Sequence, residues 1–316
     1  MPKPTTPRSI SVVIPAYNSE ESLPLLIEGL EPVLKTVAPD GFEVILVDDC
    51  SWDHTWEVIE RLTGKHRWVH GIDLNRNCGQ HNALLCGIRE ARFEVIVTMD
   101  DDLQHPPEEI PKLLLRLDEG ADVVYGTPET EQHGFWRDLA SQATKLALQT
   151  AMGAEVARKV SAFRAFRTAL REAFARYSNA FVAIDVLLTW ATTRFAAVTV
   201  RHEARRLGES NYTFRKLVTH AMNMITGFSV APLQFASLVG FCFVLCGCAV
   251  LFFVVGRFAL QGTPAPGFPF LASIIAIFSG AQLFALGVIG EYLARIHSRT
   301  MDRPPYVVRE RTTPAS

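Results

Sequence analysis

Charge is missing from two long stretches of this chain. No Asp, Glu, Lys or Arg occurs from Leu217 to Gly256, and none from Phe258 to Gly290. Uncharged runs of that length argue against a chain that is soluble throughout. An excess of positive charge is missing too. The net charge is −2 over 316 residues, which gives no support to a nucleic-acid partner, since that would favour a basic face. Paired CxxC motifs are absent. The cysteines are Cys50, Cys78, Cys86, Cys242, Cys246 and Cys248, and without matching pairs a structural zinc is not expected. The opening "MPKPTTPRSI" has no apolar h-region, so no cleaved signal is expected. The soluble part is then expected to face the cytoplasm with its thiols reduced.

What is present in the first two-thirds is an ordinary charged domain with a clear alternation. "SISVVIPAYN", "FEVILVDD", "WVHGIDL", "FEVIVTMD" and "ADVVYG" read as buried strands. Between them lie helical patterns. "SEESLPLLIEGLEPVLKTV" has Ser19 as its cap, and "SWDHTWEVIERLTG" is capped by Ser51 or Asp53 and ended by Gly64. "GQHNALLCGIREA" and "PEEIPKLLLRLDEG" follow. This alternation predicts an α/β fold with a mostly parallel sheet and helices on both faces. Ligands of such sheets bind beyond the carboxyl ends of the strands. Asp48, Asp49 and the triplet Asp100, Asp101 and Asp102 are all predicted at those ends, converging on one cleft.

The later third reads differently. "RKLVTHAMNMITGFS" is amphipathic and suits a membrane surface. Two apolar runs follow, 231–256 and 268–290, each long enough for a bilayer core of about 20 residues. The flanks carry Arg205, Arg206, Arg215 and Lys216 before them and Arg295, Arg299 and Arg303 after. Basic flanks belong on the cytoplasmic side. The expected layout is a cytoplasmic domain over 1–214, an interfacial helix over 215–229, a transmembrane hairpin over 230–293, and a cytoplasmic tail over 294–316. The other reading of the two runs is a buried helical hairpin in a soluble protein.

The chemistry centres on "VTMDDDLQHPPEEI". Crowded carboxylates at a strand end suit a hard divalent cation, Mg²⁺ or Mn²⁺, which typically bridges phosphates. A solvated acidic turn that caps the next helix is the plainer reading. "DDCSWDHT" can accept hydrogen bonds from a base or ribose. "NRNCGQHNAL" brings Gly79 to a helix N-terminus, with Arg76 near enough to meet a phosphate. Each of these is a turn or a cap if taken alone.

Together, in this order, "VVIPAYNSEESL", "VILVDDCSWDHT", "LNRNCGQHNALLCGI" and "VIVTMDDDLQHPPEEIPKL" resemble the consecutive motifs of family-2 glycosyltransferases of the GT-A fold. With "HEARRLGESNYTFRKL" and the apolar runs ending "GVIGEYLARIHSR", the layout is similar to the polyprenyl-phosphate members of that family. The resemblance implies an inverting, membrane-bound enzyme of the cell inner (plasma) membrane. It would pass one sugar from a nucleotide sugar, UDP-linked rather than GDP-linked, to a polyprenyl phosphate. Homo-oligomers are compatible with it. Asp100 and Asp102 match the Asp-x-Asp metal motif, with Asp102 as direct ligand and Asp100 nearer the ribose or a metal water. Pro15, Tyr17, Asn18 and Glu20 match the first nucleotide-binding segment, and Asp49 the base-binding carboxylate. Ser51, Arg76, Gly79, Gln80 and Asp101 complete the donor site. Arg205 and Ser210 match the groups that hold the acceptor phosphate, and Arg206 is beside them.

One departure bears on mechanism. Several relatives carry "GDFR", whose Asp has been proposed as a base, and here the stretch is "VSAFR". Ala162 stands at the Asp position, Arg164 is retained, and Asp185 is the substitute candidate. A phosphate nucleophile is already ionised and hardly needs a base. Two other functions compete. A processive polysaccharide synthase would carry "QxxRW", which "QHGFWRD" is not. A non-catalytic nucleotide-binding membrane protein would bind the donor without transfer.

Overall fold

The computed structural model describes residues 9–128, 159–179, 182–203, 231–261, 267–301 and 303–312. Arg205, Arg206, Ser210 and the expected interfacial helix lie outside the described residues. The chain divides into two compact units, Met1–Val218 with Asp302–Ser316, and Thr219–Met301.

The first unit follows the expected alternation. Strand β1 (Ser9–Ala16) leads to helix α1 (Ser22–Val37), β2 (Gly41–Asp48) to α2 (Thr55–Lys65), β3 (Val69–Leu74) to α3 (Gln80–Glu90), and β4 (Val95–Thr98) to α4 (Ile110–Asp118). A short 3-10 turn, Pro107–Glu109, opens α4. Then come β5 (Val123–Pro128), β6 (Arg164–Arg167), α5 (Ile184–Ala191) and β7 (Phe195–Val200). Strand β8 (Val308–Arg311) follows the second unit in sequence. The sheet order is β7-β5-β6-β4-β1-β2-β3-β8. The β1/β2, β1/β4, β2/β3 and β5/β7 pairs are parallel, and β6 and β8 pair antiparallel with their neighbours.

Three of these strands go beyond the sequence expectation. β6 and β7 fall in or after the irregular stretch, and β8 lies in the segment expected as a plain tail. β6 wedges between β4 and β5, which the alternation alone would make neighbours.

Alternation along β1 explains the layering. Ile10, Val12 and Ile14 join one core with Leu23, Leu26 and Leu30 of α1 and Leu113 and Leu114 of α4. Val13 points the other way, toward α3. There Gly87 lets the helix lie flat: a Cβ on it would come within 2.4 Å of a Val13 methyl. The expected Ser19 cap of α1 is replaced. Glu21 precedes the first helical residue without a side-chain cap, and the Ser19 hydroxyl donates to Asp101 while accepting from the Tyr17 amide at 3.1 Å. Asp53 does serve α2, accepting from the Thr55 amide at 3.0 Å.

The second unit contains α6 (Ala231–Gln261) and α7 (Phe268–Thr300), both longer than the apolar runs themselves. Gly247 sits against the Phe278 ring, which also meets Phe243 edge-on at 5.9 Å. Among the described residues, Leu233–Arg257 is long and apolar enough to cross a membrane, at a mean hydropathy of 2.9 over a helix whose side chains are unburied. A shorter apolar stretch covers Phe278–Ala294.

Candidate active site

The carboxyl ends of β1, β2, β3 and β4 bring together most of the expected donor residues. The turn after β1 is locked to the turn after β2 by reciprocal bonds. The Asn18 amide donates to Ser51 Oγ at 2.9 Å, and the Trp52 amide returns to Asn18 Oδ1 at 2.9 Å. The His54 amide donates to Glu20 Oε2 at 3.1 Å. Asn18 and Cys50 both adopt positive φ, near 55° and 60°, which lets two sharp turns face each other. Pro15 pairs with Val47 in the ladder just beneath. Trp52 is 86% exposed, with its indole N–H bound to Tyr17 Oη at 2.8 Å.

Asp49 is buried and takes two amides, from Cys78 at 2.7 Å and Gly79 at 2.7 Å, one on each oxygen. Burial raises its carboxyl above the usual range, and these two amides oppose the shift. The expected base-binding carboxylate is thus also the anchor of the turn that starts α3. Gly79, at φ near 89°, makes that turn, and Arg76 is exposed on it. Asp48 is likewise buried and is pushed up to about 6, with Ser51 opposing the shift through its hydroxyl and amide.

The three aspartates have separate duties. Asp101 accepts from the Ser19 hydroxyl and from the Tyr17 amide at 3.3 Å, so it ties β4 to the turn after β1. Asp100 accepts from Gln80 Nε2 at 2.6 Å. Asp102 accepts from the Gln104 amide at 3.1 Å. Burial, then the charges of Asp102 and Asp101, push Asp100 up to about 7. Hard oxygen donors under mutual repulsion fit a divalent cation. Among the described residues no three His, Cys, Asp or Glu side chains form a complete metal cage, so Asp100 and Asp102 fit such an ion only with further oxygens from a ligand.

Arg164 and Asp185 are placed beneath this cleft rather than in it. Arg164 is 1% exposed and donates through Nε to Thr98 Oγ1 at 3.0 Å and through Nη1 to Asp185. Asp185 Oδ1 also accepts from Tyr125 Oη at 3.0 Å. Asp185 is therefore the counterion of a buried cation, neither a free base nor a surface cap. The Arg164 charge acts on Asp100 through space, opposing its upward shift. The Ala162 carbonyl accepts from Thr98 Oγ1 at 2.8 Å. Sequence reasoning missed Thr98 and Tyr125, which look like ordinary strand residues. It also missed His105, which stacks on Phe163 at 5.1 Å and is pushed down to about 4 by burial and by His202.

A family model described as glycosyl transferase family 2 matches residues 11–178, the segment that carries every one of these turns. The chain belongs to glycosyl transferase family 2. As a member of family 2 it is a glycosyltransferase, and its sheet is the mixed α/β core of the GT-A type. It is 33% identical over 98% of its length, and over 95% of the relative's, to undecaprenyl-phosphate 4-deoxy-4-formamido-L-arabinose transferase of Pectobacterium atrosepticum. The same-named protein of Yersinia enterocolitica is 34% identical over 96% of this chain and 93% of its own. Among solved structures, glucosyl-3-phosphoglycerate synthase of Mycobacterium tuberculosis in complex with UDP shares the fold, with a TM-score of 0.51 at 20% identity, over 69% of this chain and 78% of that one. The same synthase with Mn²⁺, UDP and glucosyl-3-phosphoglycerate gives a TM-score of 0.50.

Proposed function

We propose that this glycosyltransferase moves one sugar, with inversion, from a UDP-linked donor to a polyprenyl phosphate at the cytoplasmic face of a membrane. The observation that carries the donor half is the Asp100–Asp102 pair at the end of β4, a cluster in which burial first, and then the neighbouring carboxylates, raise Asp100 to about 7. Near-full-length similarity to transferases named for undecaprenyl phosphate supports the acceptor half.

In this reading Asp100 and Asp102 hold Mg²⁺ or Mn²⁺, which when bound supplies positive charge to the departing diphosphate. Gln80 fixes the orientation of Asp100, and Asp101 keeps the β1 turn in place. Asp49, Tyr17 and Asn18 line the nucleoside end. Arg205, Ser210 and Arg206 take the acceptor phosphate, where a guanidinium offers two parallel N–H bonds. That phosphate is anionic at neutral pH, so its oxygen attacks the anomeric carbon without a base, and the bond to the diphosphate oxygen breaks with its electron pair. The absence of a carboxylate at Ala162 is consistent with this step. Helices α6 and α7 serve as a transmembrane hairpin with both flanks in the cytoplasm.

Mass spectrometry of the lipid made from undecaprenyl phosphate and a panel of UDP- and GDP-sugars tests the proposal. The expected product is a lipid one sugar heavier than the acceptor, made from a UDP donor. Polymer growth, or free sugar with unmodified lipid, would refute it.

A further inference from the structure

The turn that grips Asp49 is itself held by a residue far away in sequence. Arg309 lies on β8, the strand that follows both apolar helices. Its Nη1 donates to Asp73 Oδ2 at 3.1 Å, and its Nη2 to the Asn75 carbonyl at 3.2 Å. Its Nε reaches Asn75 Oδ1 at 3.5 Å, and Nη2 also lies 3.9 Å from Cys50 Sγ. The Asn75 amide in turn donates to the Val307 carbonyl at 2.8 Å. One guanidinium therefore spans Cys50, next to Asp49, and Asn75, the first residue of the loop whose Cys78 and Gly79 amides bind Asp49. Asp73, which anchors it, is 3% exposed.

A planar fork suits this job. Several acceptors converge from different directions, and an ammonium on a flexible stem cannot meet them in one fixed geometry. Partners on two different strand ends are a reason for Arg309 beyond pairing β8 to the sheet. The same strand offers a contrast. Arg311 binds Glu90 at 2.9 Å, at the end of α3 away from Gly79.

We propose that Arg309 is a positioning residue of the donor site. It sets the 75–79 loop, and through it Asp49, in the conformation that receives the nucleoside part of the donor. This rests on the donor reading above. It also makes β8 part of the nucleotide-binding apparatus.

The test uses the full-length protein in detergent, titrated calorimetrically with UDP in the presence of Mn²⁺, together with thermal unfolding and donor kinetics. Arg309→Ala is expected to weaken UDP binding by about tenfold or more, the scale of lost charged hydrogen bonds. Its KM for the donor should rise far more than its kcat falls. Arg309→Lys should recover only part of the affinity. Arg311→Ala should bind UDP as the native protein does and melt close to it, since its partner Glu90 is half exposed, whereas Arg309→Ala, which unpairs the buried Asp73, should also melt lower; binding is therefore read well below both melting points. If Arg311→Ala weakens UDP as much as Arg309→Ala, the effect belongs to the strand and the proposal is overturned. Native affinity in Arg309→Ala overturns it equally, while leaving the donor reading in place. A native protein that does not bind UDP sinks the donor reading and this inference with it.

Discussion

The sheet unit and the helix pair treat water in opposite ways. In the sheet unit most large apolar side chains of β1, β2, β4, α1 and α4 are buried, Leu25 being the exposed exception, and polar groups at the strand ends are satisfied by one another. In α6 and α7 the apolar side chains face outward: Phe235, Phe241, Leu245, Phe252 and Leu283 are each more than half exposed. Exposed apolar area on that scale marks a surface that something else covers. The first unit is stabilised by expelling water from within, and on the proposed function the second is stabilised by apolar surroundings. Polar precision is thus confined to one unit, and substitutions in the two should fail in different assays.

The largest effect is expected where the sheet unit performs chemistry. On the proposed function, Asp102→Ala should lower sugar transfer by more than about a thousandfold, a loss of several kcal/mol of transition-state stabilisation, with membrane retention and melting unchanged. EDTA should silence the native enzyme until Mg²⁺ or Mn²⁺ returns. Full activity in EDTA, or in the variant, would remove the metal role.

Arg164→Met comes next and should register as instability. It leaves the Asp185 carboxylate beneath the cleft with Tyr125 alone, at a cost of about 3 kcal/mol. Pairing it with Asp185→Leu should restore much of the loss, read by thermal unfolding. A single variant that melts like the native protein would show that the buried pair is not a structural unit.

The helix pair should answer to a different probe. Leu245→Arg places a charge at mid-length in α6 and should cost about 2.5–3.5 kcal/mol of membrane insertion. Alkaline extraction of membranes should release more of that variant, while UDP binding by the folded fraction stays native. Unchanged retention would count against a spanning role for α6.

The smallest effect is graded with pH. Asp100, raised to about 7, holds a proton over much of the range below that value. A cation must displace this proton, so Mn²⁺ affinity should rise with pH and level off above about 7. Below it, affinity should fall by up to about tenfold per unit. Paramagnetic resonance of free Mn²⁺ measures this, and Asp100→Asn should flatten the curve.

Much of the donor side was legible because it is local. Each strand from β1 to β5 announces itself by an apolar run, and each donor-site residue except Pro15, which is inside β1, sits within the six residues after a strand. The rest depends on partners distant in sequence. β6 is four residues, "RAFR", too short for any periodicity, and it exists because β4 and β5 hold it on both sides. β8, "VRER", has the composition of a solvated tail and becomes a strand only because β3 leaves an edge open. Asp185 could be singled out as a carboxylate in an apolar helix. Its tie to Arg164 and Tyr125 could not, because nothing in a sequence pairs residues across such gaps. Ser19 was misassigned as a cap for the same reason: the carboxylate that captures its hydroxyl arrives 82 residues later.

The edge of β3 has a history as well as a partner. Thr312, which binds Gly71 at 2.8 Å, lies 241 residues downstream of it. At ribosomal speeds of about 5–20 residues per second, that separation is on the order of tens of seconds. During that interval the nascent sheet carries an open strand edge, the feature most apt to recruit a foreign chain. Both apolar helices are made before the sheet can close.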